Sequence, residues 1–310
     1  MEFQEIAVEI AVLFLIMLIG AYGGKSGYIS QEASETINKV VVNITNPCLI
    51  IFGMQREFST ELLHNALMLI AAGFAGTFLF VAVSEVWGRF SKQEDRGRLG
   101  TEQFLFTFGN QGFLGIPIMQ VLFGSLGIFY VVMFGLAQNL LMFSYGYKIF
   151  GKETGWGVFR QCLNNGLFAT VLSFILFLCG VQLPHLLYEP INLVGNLTVP
   201  LILLSVGSSI SRIPFRELFR SPTAWWITLV KLAVCPLVFT GIFLLIPAPR
   251  DVAVVAVTLF SMPAALLSCP MSETNGGDLM LANKTVILSN LLVMFSMPCV
   301  IWLLNAAGLY

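Results

Sequence analysis

Ten stretches of about twenty mostly apolar residues follow one another along this 310-residue chain, at positions 6–22, 35–54, 64–86, 100–123, 126–149, 165–181, 191–210, 224–246, 252–270 and 279–306. A segment of about that length is what an α-helix needs to cross the hydrocarbon of a bilayer. No connection between them is long enough to hold a soluble domain. Charged residues make up only 11% of the chain and apolar ones 57%. A soluble domain carries about a quarter charged residues, so lipid is the expected solvent. The fold class expected is all-α: a polytopic membrane protein. The first run is flanked by Glu2, Glu5 and Glu9 rather than by basic residues, which reads as a retained helix rather than a signal peptide.

Orientation follows from the basic residues. The loops after the odd-numbered spans hold Lys25, Arg89, Lys92, Arg96, Arg98, Lys148, Lys152, Arg160, Arg212, Arg216 and Arg220, while the opposite side holds Arg56 and Arg250. Lys/Arg-rich loops stay in the cytoplasm, so both termini are expected outside and the chain is expected in the inner (plasma) membrane. A net charge of −1 gives no overall field for nucleic acid. Cys48, Cys162, Cys179, Cys235, Cys269 and Cys299 form no C-x-x-C pair, so no metal site or disulfide framework is expected. His64 and His185 are the two histidines, and H-E-x-x-H, G-x-S-x-G and Walker motifs are missing from the sequence. Hydrolytic and ATP-driven chemistry therefore lack their parts, and the chain is expected neither to be an enzyme nor to carry a cofactor.

The chain also repeats itself. Asn43-Ile44-Thr45-Asn46-Pro47 resembles Asn196-Leu197-Thr198-Val199-Pro200, and the same offset carries Pro117 onto Pro270 and Asn110 onto Pro263. Five spans per repeat is an odd number, so the second repeat must enter the membrane inverted, a common plan of secondary transporters. The expected halves are residues 1–160 and 161–310.

Two spans contain poor material for an unbroken helix. The fourth holds Phe108-Gly109-Asn110-Gln111-Gly112-Phe113-Leu114-Gly115-Ile116-Pro117, and the ninth holds Ser261-Met262-Pro263-Ala264-Ala265. Two readings are open. These are proline kinks, which membrane helices tolerate, or both helices unwind at mid-membrane and cross there, with Gly109, Gly112, Pro117 and Pro263 forming the crossing. In the second case freed backbone groups and half-helix N-termini would face a bound anion. Lys231 lies near the middle of the eighth span. It either snorkels to an interface or supplies a counter-charge, because an ionisable group inside a membrane is costly.

These motifs resemble the auxin efflux carrier family. The resemblance is carried by Asn46-Pro47, by Gly109-Asn110-x-Gly112-Phe113-Leu114-Gly115-x-Pro117, by Thr198-Val199-Pro200-Leu201 with Gly207, by Met262-Pro263, and by Gly276-Gly277-Asp278. It covers essentially the whole chain. It implies ten helices, an inverted repeat, crossed helices four and nine, a scaffold of helices one, two, six and seven, and mobile helices three to five and eight to ten. It also implies a homodimer in membrane lipid and a small organic anion as cargo. Asn46, Asn110, Gln111, Gln138, Pro263 and Leu266 become the candidate substrate contacts. Glu61 matches an acid of plant relatives, whereas their nearby lysine is replaced here by Asn65, so Glu61 and Lys231 stand as the candidate proton or counter-charge residues. Malate, malonate or an auxin-like acid fits such a carrier, working by elevator-type alternating access. The alternatives are a passive anion channel and an ion-coupled symporter of a bile-acid-like substrate.

Overall fold

Seven helices among the described residues are long and apolar enough to cross a membrane: Val8–Lys25, Gln31–Met54, Thr60–Phe90, Ser125–Lys148, His185–Ile210, Pro222–Leu245 and Leu279–Ala306. Two shorter apolar helical stretches, Gln111–Phe123 and Asn165–Leu178, add to them. The computed structural model describes residues 3–91, 93–151, 164–211, 218 and 220–310. Lys92, Lys152, Arg160, Cys162, Arg212 and Arg216 lie outside the described residues, as does the boundary expected between residues 160 and 161.

Among the described residues the elements are helical, apart from one isolated two-residue bridge. They are α1 (Phe3–Lys25), α2 (Gln31–Val40), α3 (Asn46–Met54), α4 (Thr60–Phe90), α5 (Arg96–Thr107), α6 (Ile116–Phe123), α7 (Ser125–Lys148), α8 (Asn165–Leu178), α9 (His185–Asn196), α10 (Thr198–Ile210), α11 (Pro222–Leu229), α12 (Cys235–Leu245), α13 (Arg250–Phe260), α14 (Ser268–Asn275) and α15 (Leu279–Ala306). The chain is a polytopic α-helical membrane protein.

Three wide π-turns, Val41–Thr45, Gln111–Gly115 and Val230–Val234, each run directly into a residue-proline pair: Asn46-Pro47, Ile116-Pro117 and Cys235-Pro236. Proline has no N–H and its ring clashes with the carbonyl four residues back. Widening the turn removes the clash and keeps the helix continuous. The carbonyl freed by Pro47 is that of Asn43, and it accepts a 3.3 Å hydrogen bond from Asn165 Nδ2.

The chain divides into two compact units, and each collects three segments that are separated in the sequence. Unit 1 comprises Met1–Leu67, Gly112–Met133 and Leu163–Ile213; unit 2 comprises Met68–Gln111, Phe134–Cys162 and Pro214–Tyr310. In unit 1, α1 lies along α10. Gly20 sits against the Leu204 backbone and Gly207 against the Met17 carbonyl, where any Cβ would collide with main chain. Small residues at such positions let helix backbones approach in lipid, where packing rather than hydrophobic exclusion drives association. The two N-x-T-x-P copies meet in this unit, with Thr198 Oγ1 donating to Thr45 Oγ1 at 2.9 Å across 153 residues of sequence.

Unit 2 is organised around aromatic rings. Phe260, the last residue of α13, stacks on Phe239 at 4.1 Å and 14°, and also meets Phe134 at 4.8 Å and Phe80 at 5.8 Å. Gly76 of α4 makes room for the Phe260 ring. Such pairs add about 0.5–1.5 kcal/mol each beyond area burial. They pin the end of α13 to α4, α7 and α12, just before the chain leaves helical geometry.

Candidate functional site

Within unit 2 two helices stop in the interior and their loose ends pair. The α5 helix ends at Thr107, and Phe108 is extended at φ −101° and ψ 130°. The α13 helix ends at Phe260; Pro263 follows, with no N–H to continue the ladder. Gly109 and Ala264 form an antiparallel bridge. The Asn110 N–H donates to the Pro263 carbonyl at 2.7 Å, and the Ala265 N–H to the Phe108 carbonyl at 3.2 Å.

Non-helical backbone at membrane depth must have its polar groups satisfied by protein or water. Here side chains complete what the bridge begins. Gln138 of α7 clamps the Gly109 residue from both sides: its Oε1 accepts the Gly109 N–H at 3.2 Å, and its Nε2 donates to the Gly109 carbonyl at 2.7 Å. Ser289 Oγ of α15 accepts the Ala264 N–H at 3.2 Å. The amide N–H groups of Gly109, Asn110, Ala264 and Ala265 are thus all bonded.

Asn110 is 2% exposed. Its Nδ2 donates to Asn290 Oδ1 at 3.1 Å, and Asn290 Nδ2 is tied to the Val286 carbonyl at 2.6 Å. This leaves Asn110 with its Oδ1 and a second amide hydrogen still free to bond. Close to the two breaks along the chain, Thr107 Oγ1, Gln111 Oε1 and Thr258 Oγ1 are buried with no hydrogen-bond partner among the described residues. A buried polar atom left unpaired costs about 1–3 kcal/mol, so the surroundings of the break are underbonded although its main chain is not.

The sequence-nominated residues therefore separate. Gly109, Asn110, Gln138 and Pro263 are brought together, with Gln111 and Leu266 in the adjoining turns. Gln138 spends its amide on backbone, so in this state it holds the break rather than offering itself to a ligand. Asn46, Gly112 and Pro117 belong to unit 1. Asn46 is half-buried at the start of α3, beside Gly166. Gly112 is exposed within a π-turn, and Pro117 is buried in the first turn of α6. Glu61 is exposed in the first turn of α4, where a carboxylate complements the helix dipole.

Lys231 is 1% exposed, within the π-turn Val230–Val234. A snorkelling lysine would end at the surface, and this one does not. Its Nζ lies 5.5 Å from the centre of the Phe80 ring, a cation–π contact worth up to about 2 kcal/mol when desolvated. Among the described residues it has no carboxylate partner. Phe80 packs on Phe260, which links the lysine through two rings to the end of α13.

Ser289 and Asn290 were missed from sequence. The available signal was a Ser-Asn pair in the middle of the last apolar run, which hydropathy alone counts only as a small dip.

The model of the membrane transport protein family matches this chain over residues 5–158 and 154–301. A protein of Methanothermobacter thermautotrophicus known as an uncharacterized transporter is 26% identical over 290 residues, covering 92% of this chain and 94% of that one. An uncharacterized transporter of Methanocaldococcus jannaschii is 24% identical over 209 residues, covering 65% of this chain and 68% of its own. With the family matched along nearly all of its length, the chain belongs to the membrane transport protein family, the auxin efflux carrier-like family: it is a transporter and not an enzyme.

Proposed function

We propose that this protein is a secondary transporter of a small organic anion, a carboxylate such as malate, malonate or an auxin-like acid, and that the cargo is held at the paired breaks of α5 and α13. The observation that carries the reading is the set of main-chain bonds between residues 108–110 and 263–265, with Asn110 beside them holding unspent hydrogen-bonding capacity. An anion in a mainly apolar surrounding needs neutral donors, and amide N–H groups supply them without a permanent charge. The α14 helix restarts at Ser268, where the Ser268, Cys269 and Met271 N–H groups are bonded to the Ala265, Leu266 and Leu267 carbonyls, so the unspent capacity of the site rests with Asn110.

The ten-span, inverted-repeat plan belongs to this proposal. It is supported by two hydrogen bonds that each join residues 153 apart, Thr45 to Thr198 and Asn110 to Pro263. Residues related by an internal two-fold axis touch each other only on that axis, and the repeated N-x-T-x-P motif has the same offset. Transport would follow elevator-type alternating access, with helices one, two, six and seven as scaffold. The protein would act as a homodimer in the plasma membrane, with both termini outside. Lys231 is the proposed counter-charge, because a buried ammonium with only an aromatic ring beside it is costly until an anion is near.

The test is flux of labelled mono- and dicarboxylates into proteoliposomes holding the purified chain. Saturable uptake of at least one carboxylate, competed by its congeners, supports the reading. Flux that rises linearly with concentration without saturating would favour a channel, and no carboxylate flux with a folded protein would refute the cargo class.

A further inference from the structure

A cavity lies inside unit 2 between the end of α4, the second half of α5 and the start of α11. Its volume is about 300 Å³, and its walls include Val83, Trp87, Phe106, Trp226 and Ile227, with Glu102 among the polar residues. The lining polar groups are mostly spent. Gln103 Nε2 donates to the Ser84 carbonyl at 2.8 Å, and the Ser84 hydroxyl is bonded to the Tyr145 hydroxyl at 2.9 Å. Trp87 and Trp226 lie 4.6 Å apart, with Phe106 6.0 Å from Trp226. Val83, Trp87 and Trp226 are each more than 40% exposed, so the cavity opens sideways from the chain.

One arginine reaches a residue of the cavity wall. Arg98 reaches Glu102 through Nε alone, at 3.4 Å, and its side chain is 43% exposed. Its two terminal nitrogens have no protein partner among the described residues. Arg89 and Arg220 are exposed near this end of the chain, outside the cavity lining. An apolar pocket with tryptophans at its mouth and the free end of an arginine beside it suits one class of molecule, since tryptophan settles at headgroup depth and basic groups between membrane helices bind anionic headgroups.

We propose that this cavity is a binding site for an anionic phospholipid, with one acyl chain between Val83, Trp226 and Ile227 and the phosphate against the Arg98 guanidinium. A small carboxylate lacks the apolar length to fill the walls, and a zwitterionic lipid gains less from the Arg98 guanidinium. The bound lipid would lie against α4, α5 and α11 together.

Native mass spectrometry of the full chain, delipidated in detergent and then titrated with phosphatidylglycerol or phosphatidylcholine, tests this. The expected result is one tightly retained phosphatidylglycerol per chain and weaker retention of phosphatidylcholine. Arg98→Gln should cut that preference about fivefold, the effect of one cation near an anionic surface. Val83→Phe should abolish retention of the tight lipid by filling the cavity. Equal retention of the two lipids overturns the proposal, as does a preference untouched by both substitutions. Displacement by free glycerol phosphate as effective as by the whole lipid would also overturn it, since the acyl chain would then contribute nothing. If Val83→Phe instead changes the oligomeric state and leaves lipid retention unaltered, the face is a subunit contact and the proposal fails. Arg98 is partly exposed, so its variant reads out the headgroup contact even if the filled cavity does not fold.

Discussion

Replacing Gln138 by Leu removes two hydrogen bonds at once and leaves the shape of the side chain nearly intact. The Gly109 N–H loses its 3.2 Å bond and the Gly109 carbonyl its 2.7 Å bond. Each orphaned buried group costs about 1–3 kcal/mol, which sets an upper range of about 2–6 kcal/mol. Double-mutant cycles on membrane helices average nearer ~0.6 kcal/mol per hydrogen bond, because the unfolded chain in lipid finds other partners. That sets a floor of about 1.2 kcal/mol. Gly109 should lie well above the floor, because it sits outside any helix and has no i−4 carbonyl to fall back on. The expected outcome is a loss of at least ~1.2 kcal/mol in reversible unfolding, with transport falling in parallel. Gln138→Glu keeps an acceptor for the N–H and removes the donor to the carbonyl, so it should fall between wild type and Leu. Stability within about 0.6 kcal/mol of wild type for Gln138→Leu, with normal flux, would show that this clamp does not hold the break.

Asn110→Ala should weaken binding of the transported anion by one to two orders of magnitude, since a hydrogen bond to a charged group is worth about 1.5–3 kcal/mol and ~1.4 kcal/mol is tenfold; equilibrium binding to folded protein checks it. Asn290→Leu should raise KM more than it lowers maximal flux, because it frees the Asn110 amide without removing it, and Asn290→Asp, which still accepts from Asn110, should recover its orientation but repel the anion. Lys231→Met should abolish flux even at saturating substrate while the protein stays monodisperse; surviving flux would remove Lys231 from the mechanism. Gly207→Leu should lower thermal stability and yield sharply, because its side chain would enter the Met17 main chain. Single cysteines placed at Arg96 and at Tyr310 should label from opposite sides of the membrane.

Much of the architecture could be read one residue at a time. Hydropathy is a property of each residue and adds along the chain, so the apolar runs stand out without knowledge of what they touch. The same is true of backbone breakers: Pro263 and the Gly109-Asn110 pair disfavour a helix wherever they are placed, and in the folded chain α5 stops at Thr107 and α13 at Phe260. The family membership is likewise written in residue types at fixed offsets. Exact helix limits were less legible. The α4 helix runs on to Phe90, past the end expected at residue 86, because main-chain hydrogen bonding continues through the polar residues that interrupt the apolar run.

Only the tertiary structure decided which polar groups meet. Gln138 reaches Gly109 across 29 residues and Asn110 reaches Asn290 across 180; no local pattern encodes such pairs, because they depend on how helices pack. Packing also gave Gln138, a nominated ligand contact, two bonds to the Gly109 backbone. It brought in Ser289 and Asn290, which sequence reading passed over. It set Lys231 in the interior against Phe80, where a mid-span lysine on an isolated helix would be free to reach an interface. In each case the deciding quantity is the unpaired hydrogen-bonding capacity left after folding, which exists only once the helices have chosen their neighbours.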